Sequence, residues 1–482
     1  MHVRKIVRSA TLLALTAALV FPAGPAHAVA ARNTDFNGDG YNDVALTFAY
    51  RSSGGVAVLY GGPNGTSGHH LIRPPAGCTT VDRWGSTVPC QSWGLTMAAA
   101  DANGDGRTDL YFAGLSEAQA MSWQSGGFGT VERHVSTVMY NGRMEVGQFG
   151  GQFANDVVMA DTVVRGVTPP WTGISGWYDG QGQYKSFPLP DTDVRVTRNE
   201  PTHTASGNVD GGYDKEIAIV QARSMREPST GEQWVEHHLV LADDLEESPV
   251  RIIELGSPAT CTASPYPALR VCPESDSQVV TGDVNGDKYD DVIMLTPSKR
   301  TLHVFYGSSS GPSTVPGFTA RDVDWAGGVL WRGVTTGDVN GDGAEDIVLG
   351  RPDVGGSTAP AGGAVVLIPG SRNGPAIAAG QVITQDGVRP LSGSAPTPLP
   401  DPISEQSVRG DAFGAAVSVL DVTGDGKAEL ITSAPGKNAW QGMLAIVRGT
   451  PSGLSATEAQ VIHPSQIGID VETPEMGLHL LR

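Results

Sequence analysis

Asp35-Phe36-Asn37-Gly38-Asp39-Gly40-Tyr41-Asn42-Asp43, followed by Val44-Ala45-Leu46, is the stretch on which the reading of this chain turns. Oxygen-bearing side chains stand at positions 1, 3, 5 and 9, glycines at 4 and 6, and an apolar run comes next. The same grammar returns four times. At positions 1, 3, 5, 7 and 9 it reads Asp101, Asn103, Asp105, Arg107 and Asp109, then Asp283, Asn285, Asp287, Tyr289 and Asp291. The last two copies read Asp338, Asn340, Asp342, Ala344 and Asp346, then Asp421, Thr423, Asp425, Lys427 and Glu429. Apolar residues follow every copy and precede the last four, so each reads as strand, acidic turn, strand, which is a β-hairpin.

Two degenerate copies complete the series. One starts at Asn208 and has Gly212 where the third ligand belongs; the other starts at Gln148 and keeps only Asp156. Starts at 35, 101, 148, 208, 283, 338 and 421 lie 47 to 83 residues apart, long enough for a four-stranded blade each. Internal repetition at such a period is the mark of a repeat architecture. The expected fold is all-β, a seven-bladed β-propeller spanning 29–482 as one domain. The first unit opens on its acidic loop with no preceding strand. Met476-Gly477-Leu478-His479-Leu480-Leu481 resembles the strand before the last loop, Phe413-Gly414-Ala415-Ala416-Val417. The C-terminus is therefore expected to supply the missing strand of the first blade and so remove open sheet edges.

Hard cations such as Ca2+ take six to eight oxygens. Side chains at 1, 3 and 5, the carbonyl at 7 and the carboxylate at 9 (Asp35, Asn37, Asp39, Tyr41 and Asp43 in the first loop) supply such a set. An EF-hand needs a Glu at position 12, where this chain has Leu46, Phe112, Met294, Leu349 and Thr432. Asp, Asn and Gly are common in any turn, which explains one loop but not five of one grammar. About five structural calcium ions are expected. Lys288 at position 6 and Glu429 at position 9 depart from the pattern.

Phe413-Gly414, residues 421–429 and Ala434-Pro435-Gly436 together resemble the FG-GAP repeat of integrin α-subunit propellers and of bacterial secreted proteins carrying FG-GAP or VCBS-type repeats. Only the last unit shows every part; Trp93-Gly94 is a near match to the Phe-Gly element. The resemblance implies a calcium-stabilised propeller of the extracellular binding or adhesion kind. Nothing else in the chain matches an integrin.

Residues 1–28 read as a secretory signal peptide. Arg4, Lys5 and Arg8 precede a short apolar run, and Ala26-His27-Ala28 offers a cleavage site. Loss of those three basic residues takes the formal charge from −19 to about −22. That charge speaks against nucleic acid, whose recognition rests on Lys and Arg. No later run reaches the roughly 20 apolar residues of a spanning helix. A secreted monomer is expected. In that compartment Cys78/Cys90 and Cys261/Cys272 read as two disulfides, zinc being the alternative.

If every acidic loop joins the first two strands of a blade, the long segments 76–91, 222–233, 257–278, 320–331 and 385–410 gather on the opposite face. Trp84, Trp171, Trp234, Trp325 and Trp440 map there as candidate ligand contacts, against packing over blade junctions as the plainer reading. Trp93, Phe413, Trp331, Trp123 and Trp177 read as structural. No nucleophile elbow, zinc-protease motif or phosphate loop occurs. The adjacent pairs His69-His70 and His237-His238 point to opposite faces of a strand. No catalytic residue is assigned. The expected function is non-catalytic binding of an extracellular glycan or protein. The alternatives are a carbohydrate-active enzyme using paired carboxylates and a purely structural secreted protein.

Overall fold

The computed structural model describes residues 34–481, with the exception of 49–53, 75–76, 78, 82–86, 90–95, 102–104, 106, 114–116, 125, 136–142, 148–155, 161–162, 165–172, 179–183, 189–194, 213, 243–249, 256–258, 261, 264–269, 272–276, 322–332, 354–361, 392–402, 404–406 and 471–473. Among these residues the fold is all-β, with one four-residue helical turn and three short 3-10 turns.

The acidic stretches starting at 101, 208, 283, 338 and 421 are each the first turn of a hairpin, and the register is shared. The residue before position 1 pairs with position 9 in Ala100↔Asp109, Gly207↔Glu216, Gly282↔Asp291, Gly337↔Asp346 and Leu420↔Glu429. The pairing Gly147↔Asp156 sets the same register around the degenerate unit at 148. From these hairpins grow antiparallel sheets, labelled A to G in chain order. Sheet A holds Val44–Phe48, Gly55–Leu59 and His69–Ile72. Sheet B runs from Thr96–Ala100 to Gly127–Val135 and sheet C from Arg143–Gly147 to Tyr184–Pro188. Sheet D is built on Val196–Gly207, Glu216–Arg226, Gln233–Ala242 and Val250–Glu254. Sheet E comprises Gln278–Gly282, Asp291–Thr296, Thr301–Phe305 and Phe318–Arg321. Sheet F comprises Val334–Gly337, Asp346–Arg351, Ala364–Ile368, Gln381–Thr384 and Gly387–Pro390. Sheet G comprises Val417–Leu420, Glu429–Ser433, Leu444–Thr450 and Gly453–Ile462.

Middle strands are buried along their whole length: Val44–Phe48, Gly55–Leu59 and Ala364–Ile368 have no exposed residue. Alternation disappears because both faces of a sheet are covered by other sheets. Sheets A and G share a core through Leu46, Phe48, Leu444 and Ile446. Sheets F and G share Val365, Phe413 and Val447; E and F share Val304 and Ile347; D and E share Val220 and Val292; A and B share Val58 and Phe112. Outer strands are wetter, as in Gly453–Ile462, yet they clasp the next sheet. Gln381 Oε1 accepts from Leu454 N at 2.8 Å, and Gln460 Oε1 accepts from Thr66 N at 2.9 Å while its amide donates to Thr66 O. Arg251 donates likewise to the Ser310 carbonyl of sheet E.

The C-terminal residues lie along Val44–Phe48. Leu46 bridges Leu480, Thr47 N donates to His479 O at 3.0 Å, and Leu481 N donates to Ala45 O at 3.0 Å. Gly477 N donates to Thr47 O much as Gly414 N donates to Ser433 O. Met476 and Gly477 thus stand where Phe413 and Gly414 stand in sheet G, and Met476 is fully buried. Phe413, expected as core, is fully buried too. One expectation is corrected: residues 222–233 are not an irregular segment. Strand residues continue to Arg226 and resume at Gln233, so a short turn tips a long hairpin. Val235, Leu239 and Leu241 bury one side of it.

Deleting residues 474–482 withdraws Met476 and Leu480 from the core they share with Leu46 and Leu444, and Leu481 from the core it shares with Ala45 and Val58. Each such side chain is worth about 1.5–3 kcal/mol when buried, against a typical margin of about 5–15 kcal/mol. The truncated chain is expected to melt far below the full chain or to aggregate. Differential scanning calorimetry of both checks it.

Candidate metal-binding loops and the opposite end of the sheets

Position 1 folds each acidic loop over its own backbone. Asp35 Oδ1 accepts from Gly38 N at 2.7 Å and Asp39 N at 3.1 Å, and its Oδ2 accepts from Gly40 N at 2.8 Å. Asp338 repeats this with Gly341, Asp342 and Gly343. Asp421 and Asp283 accept from the fifth and sixth residues of their loops, and Asp101 from Asp105 N. Position 5 then accepts from position 7: Asp39 from Tyr41 N, Asp105 from Arg107 N, Asp287 from Tyr289 N, Asp342 from Ala344 N and Asp425 from Lys427 N, all at 2.9–3.1 Å. Asn37, Asn285 and Asn340 at position 3 accept from position 5. Thr423, in that place, points its hydroxyl to Glu429.

Position 9 has a different part. Asp43, Asp109, Asp291, Asp346 and Glu429 are fully buried. One carboxylate oxygen accepts from the position-2 N–H of the same loop: Phe36 to Asp43, Val284 to Asp291, Val339 to Asp346 and Val422 to Glu429, at 3.0–3.1 Å. The other accepts from a glycine ending the third strand: Gly61 to Asp43, Gly307 to Asp291 and Gly370 to Asp346, at 2.8–3.0 Å. The degenerate loop keeps the first half, with Val209 N donating to Glu216.

Burial pushes these acids up, Asp43 and Glu429 to about 7 and Asp291, Asp346 and Glu216 to about 8. Nearby carboxylates add to the rise: Asp39 and Asp35 for Asp43, and Asp338 and Asp342 for Asp346. The donor set is oxygen only, and its charges repel one another, which fits a hard divalent cation. In the last loop Lys427 pairs with Asp425 at 3.1 Å and Arg448 with Asp425 at 3.5 Å, so part of its charge is met by the protein. Among the described residues no three Asp, Glu, His or Cys side chains come together as a metal cluster. The loop side chains turn to the N–H groups of their own turn. Asn103 and 148–155 lie outside the described residues.

Neighbouring loops interlock in ways the sequence reading missed. The position-8 N–H of one loop donates to the position-1 carbonyl of the loop before it: Asp290 to Asn208, Glu345 to Asp283 and Ala428 to Asp338, at 2.7–2.8 Å. Asn42, also position 8, reaches the Asp421 carbonyl through its side chain, 379 residues away. The residue after the third-strand glycine reaches the position-2 carbonyl: Ser308 to Val209, Ser371 to Val284 and Gly62 to Val422. That approach dictates glycine. A Cβ on Gly61, Gly307, Gly370 or Gly449 would sit 2.6–2.8 Å from the carbonyl oxygen of Val422, Val209, Val284 or Val339. The signal was present as glycines four apart: 61/65, 307/311, 370/374 and 449/453. The position-7 side chain also lies over the position-4 glycine of the previous loop. A Cβ on Gly424 would be 3.1 Å from the Tyr41 ring, and one on Gly38 would be 3.4 Å from Arg107 Nε.

Second strands leave the acidic loops, so second-to-third-strand turns lie at the far ends of the sheets. Trp234 is there, half-buried, donating to Glu236 at 3.0 Å and covered by Arg195. Trp440 is there too and is 53% exposed. Trp84, Trp171, Trp325 and the four cysteines, Cys78, Cys90, Cys261 and Cys272, lie outside the described residues. Trp123 packs edge-on against Tyr60 and Phe128, in keeping with the structural role expected of it.

Comparison with known proteins bears on these loops. A profile of FG-GAP-like repeats matches residues 35–112 and 283–349, and the FG-GAP repeat itself matches residues 413–447. No curated protein matches the chain. Among solved structures, an Agrocybe aegerita lectin studied for recognition of non-reducing terminal N-acetylglucosamine aligns at 12% identity and a TM-score of 0.46, over 92% of this chain and 96% of the lectin. A putative 6-phosphogluconolactonase from Bacteroides uniformis aligns at 10% identity and 0.41, over 91% and 98%. AofleA from Arthrobotrys oligospora aligns at 10% and 0.30, over 76% and 85%.

The two kinds of loop acid separate by substitution. Asp346→Asn puts an amide donor against the N–H of Val339 or Gly370 and is expected to cost about 1–3 kcal/mol in chelator, and at least as much with calcium. Asp342→Asn leaves that clamp intact and is expected to change the melting temperature little in chelator. Thermal melts of both variants, with and without calcium, check this.

Proposed function

We propose that this chain, with its FG-GAP repeats, is a secreted, calcium-stabilised β-propeller of seven blades that serves as a non-catalytic binding or adhesion module for an extracellular glycan or protein. The observation that carries the ring is the link between its two ends. Asn42 and Gly62 engage the carbonyls of Asp421 and Val422, Gln460 clasps Thr66, and residues 476–481 lie along sheet A. Each of these joins the first unit to the last, and a linear array of hairpins would have no use for them. Sheets A to G then count as the seven blades.

Calcium belongs to the same reading. Loops starting at 35, 101, 283, 338 and 421 would hold the ion through positions 1, 3 and 5, the position-7 carbonyl and position 9. The ion would supply charge neutralisation and lock the turn; the chain supplies the position-9 clamp and the links between loops. The loop at 208 is expected to bind weakly and that at 148 not at all. Secretion rests on the signal-like segment 1–28; among the described residues no helix is long and apolar enough to cross a membrane. A binding role is favoured because the acidic loops are taken up with holding hairpins together, while the opposite ends of the sheets carry an exposed tryptophan.

Excess chelator is expected to lower the melting temperature of the purified chain substantially, and an unchanged melt would refute the structural role of calcium. For the binding role, the protein is presented to a polysaccharide panel with and without calcium. Retention without turnover supports the reading; chain cleavage overturns it in favour of an enzyme.

A further inference from the structure

A cavity of about 590 Å³ opens at the seam of sheets F and G, at the ends away from the acidic loops. Residues 408–411, leading into sheet G, form one side; the turn 436–440, between its second and third strands, forms the other. Its volume is that of a small-ligand site. Beneath it Lys437 Nζ pairs with Asp411 Oδ2 at 3.1 Å, both residues being at most 5% exposed. Gln385 and the Val408 N–H donate to the same carboxylate oxygen at 2.9 Å. Burying an ion pair is costly compared with an apolar pair; this one locks the two sides of the cavity together before any ligand arrives.

The walls are unusual for this molecule. Among the described residues four large apolar side chains are exposed, namely Ile252, Val315, Val408 and Trp440, and two of these line this one cavity. Trp440 ends three successive non-glycine residues in the left-handed region, with φ of 52° at Asn438, 59° at Ala439 and 70° at Trp440. Such backbone persists only where its surroundings enforce it, and it gathers at functional sites. Here Gly442 N donates to Lys437 O and Glu475 N to Trp440 O, fixing the turn with its tryptophan outward. At the rim Arg409, its side chain 58% exposed, is anchored at 3.4 Å on fully buried Asp353. The Asn438 amide is exposed beside it.

We infer that this cavity binds a pyranose ring of a neutral extracellular glycan. The apolar face of the ring lies on the Trp440 indole, and its hydroxyls take hydrogen bonds from the Arg409 guanidinium and the Asn438 amide. A flat exposed aromatic beside fixed polar groups matches a ligand that is apolar on its face and polar around its edge. A neutral ligand is specified by charge: Asp353 and Asp411 balance Arg409 and Lys437, within a chain of formal charge −19. The inference rests on the binding-module reading and gives it a place and a ligand class.

The test immobilises cello-, xylo- and chito-oligosaccharides and measures retention of the full chain, Trp440→Ala and Arg409→Ala in calcium. Both substituted residues are exposed, and matched melting curves verify folding. The expected result is retention of the unaltered chain on at least one glycan, weakened at least tenfold by Trp440→Ala and several-fold by Arg409→Ala. Retention that survives both substitutions overturns this cavity as the site while leaving glycan binding intact. Absence of retention on any of the three overturns the neutral-glycan reading itself.

Discussion

The acid that closes each loop sits where water cannot solvate it. Asp43, Asp291 and Asp346 are fully buried, and each is held between the position-2 N–H of its own loop and the N–H of a third-strand glycine. A buried carboxylate without partners costs several kcal/mol, so the geometry around it is tightly set. It fixes the start of the first hairpin and the turn after the third strand in one step. Glycine at 61, 307 and 370 follows from that turn, because the neighbouring loop's carbonyl lies where a Cβ would be. So does the contact between sheets, since the next residue donates to that loop in turn.

The links repeat from D to E, E to F and F to G, and then from G to A. Apolar cores A–G and A–B cover the two faces of sheet A, whose first-strand place is taken by residues 476–481. Sheet A is thereby built from both ends of the chain. Its stability depends on side-chain contacts 379 to 432 residues apart in sequence, which makes the seam between the first and last units the place where loss of either end is felt most. The cavity beside Trp440 lies on sheet G at the opposite end from these loops, where strain and an exposed aromatic are compatible with a rigid frame.

Much of this was legible in the sequence. The nine-residue grammar gave the hairpins and, through Met476-Gly477 beside Phe413-Gly414, the partner of the first strand. What it concealed came from groups with no chemical signature of their own. The role of position 9 on the backbone, rather than only toward a metal, depends on burial that a list of Asp residues does not record. The glycines four apart were visible but carry meaning only once the adjacent loop is in place. Tyr41 and Arg107 were read for their carbonyls, whereas their side chains cover Gly424 and Gly38 of adjoining loops. Residues 222–233 misled because Ser, Glu, Pro and Gly suggest a loop, while long strands on either side extend the hairpin.

What is proposed is a division of labour: position 9 and the loop-to-loop links would hold the sheets together by themselves, and positions 1 to 6 would need a cation. Peptide-level amide hydrogen exchange, in calcium and in chelator, tests it most directly. Peptides covering Gly61, Gly307 and Gly370 are expected to stay protected in both conditions, while those covering residues 35–40, 283–288 and 338–343 are expected to gain protection only with calcium. Equal exchange of the two sets of peptides, with or without calcium, would contradict it.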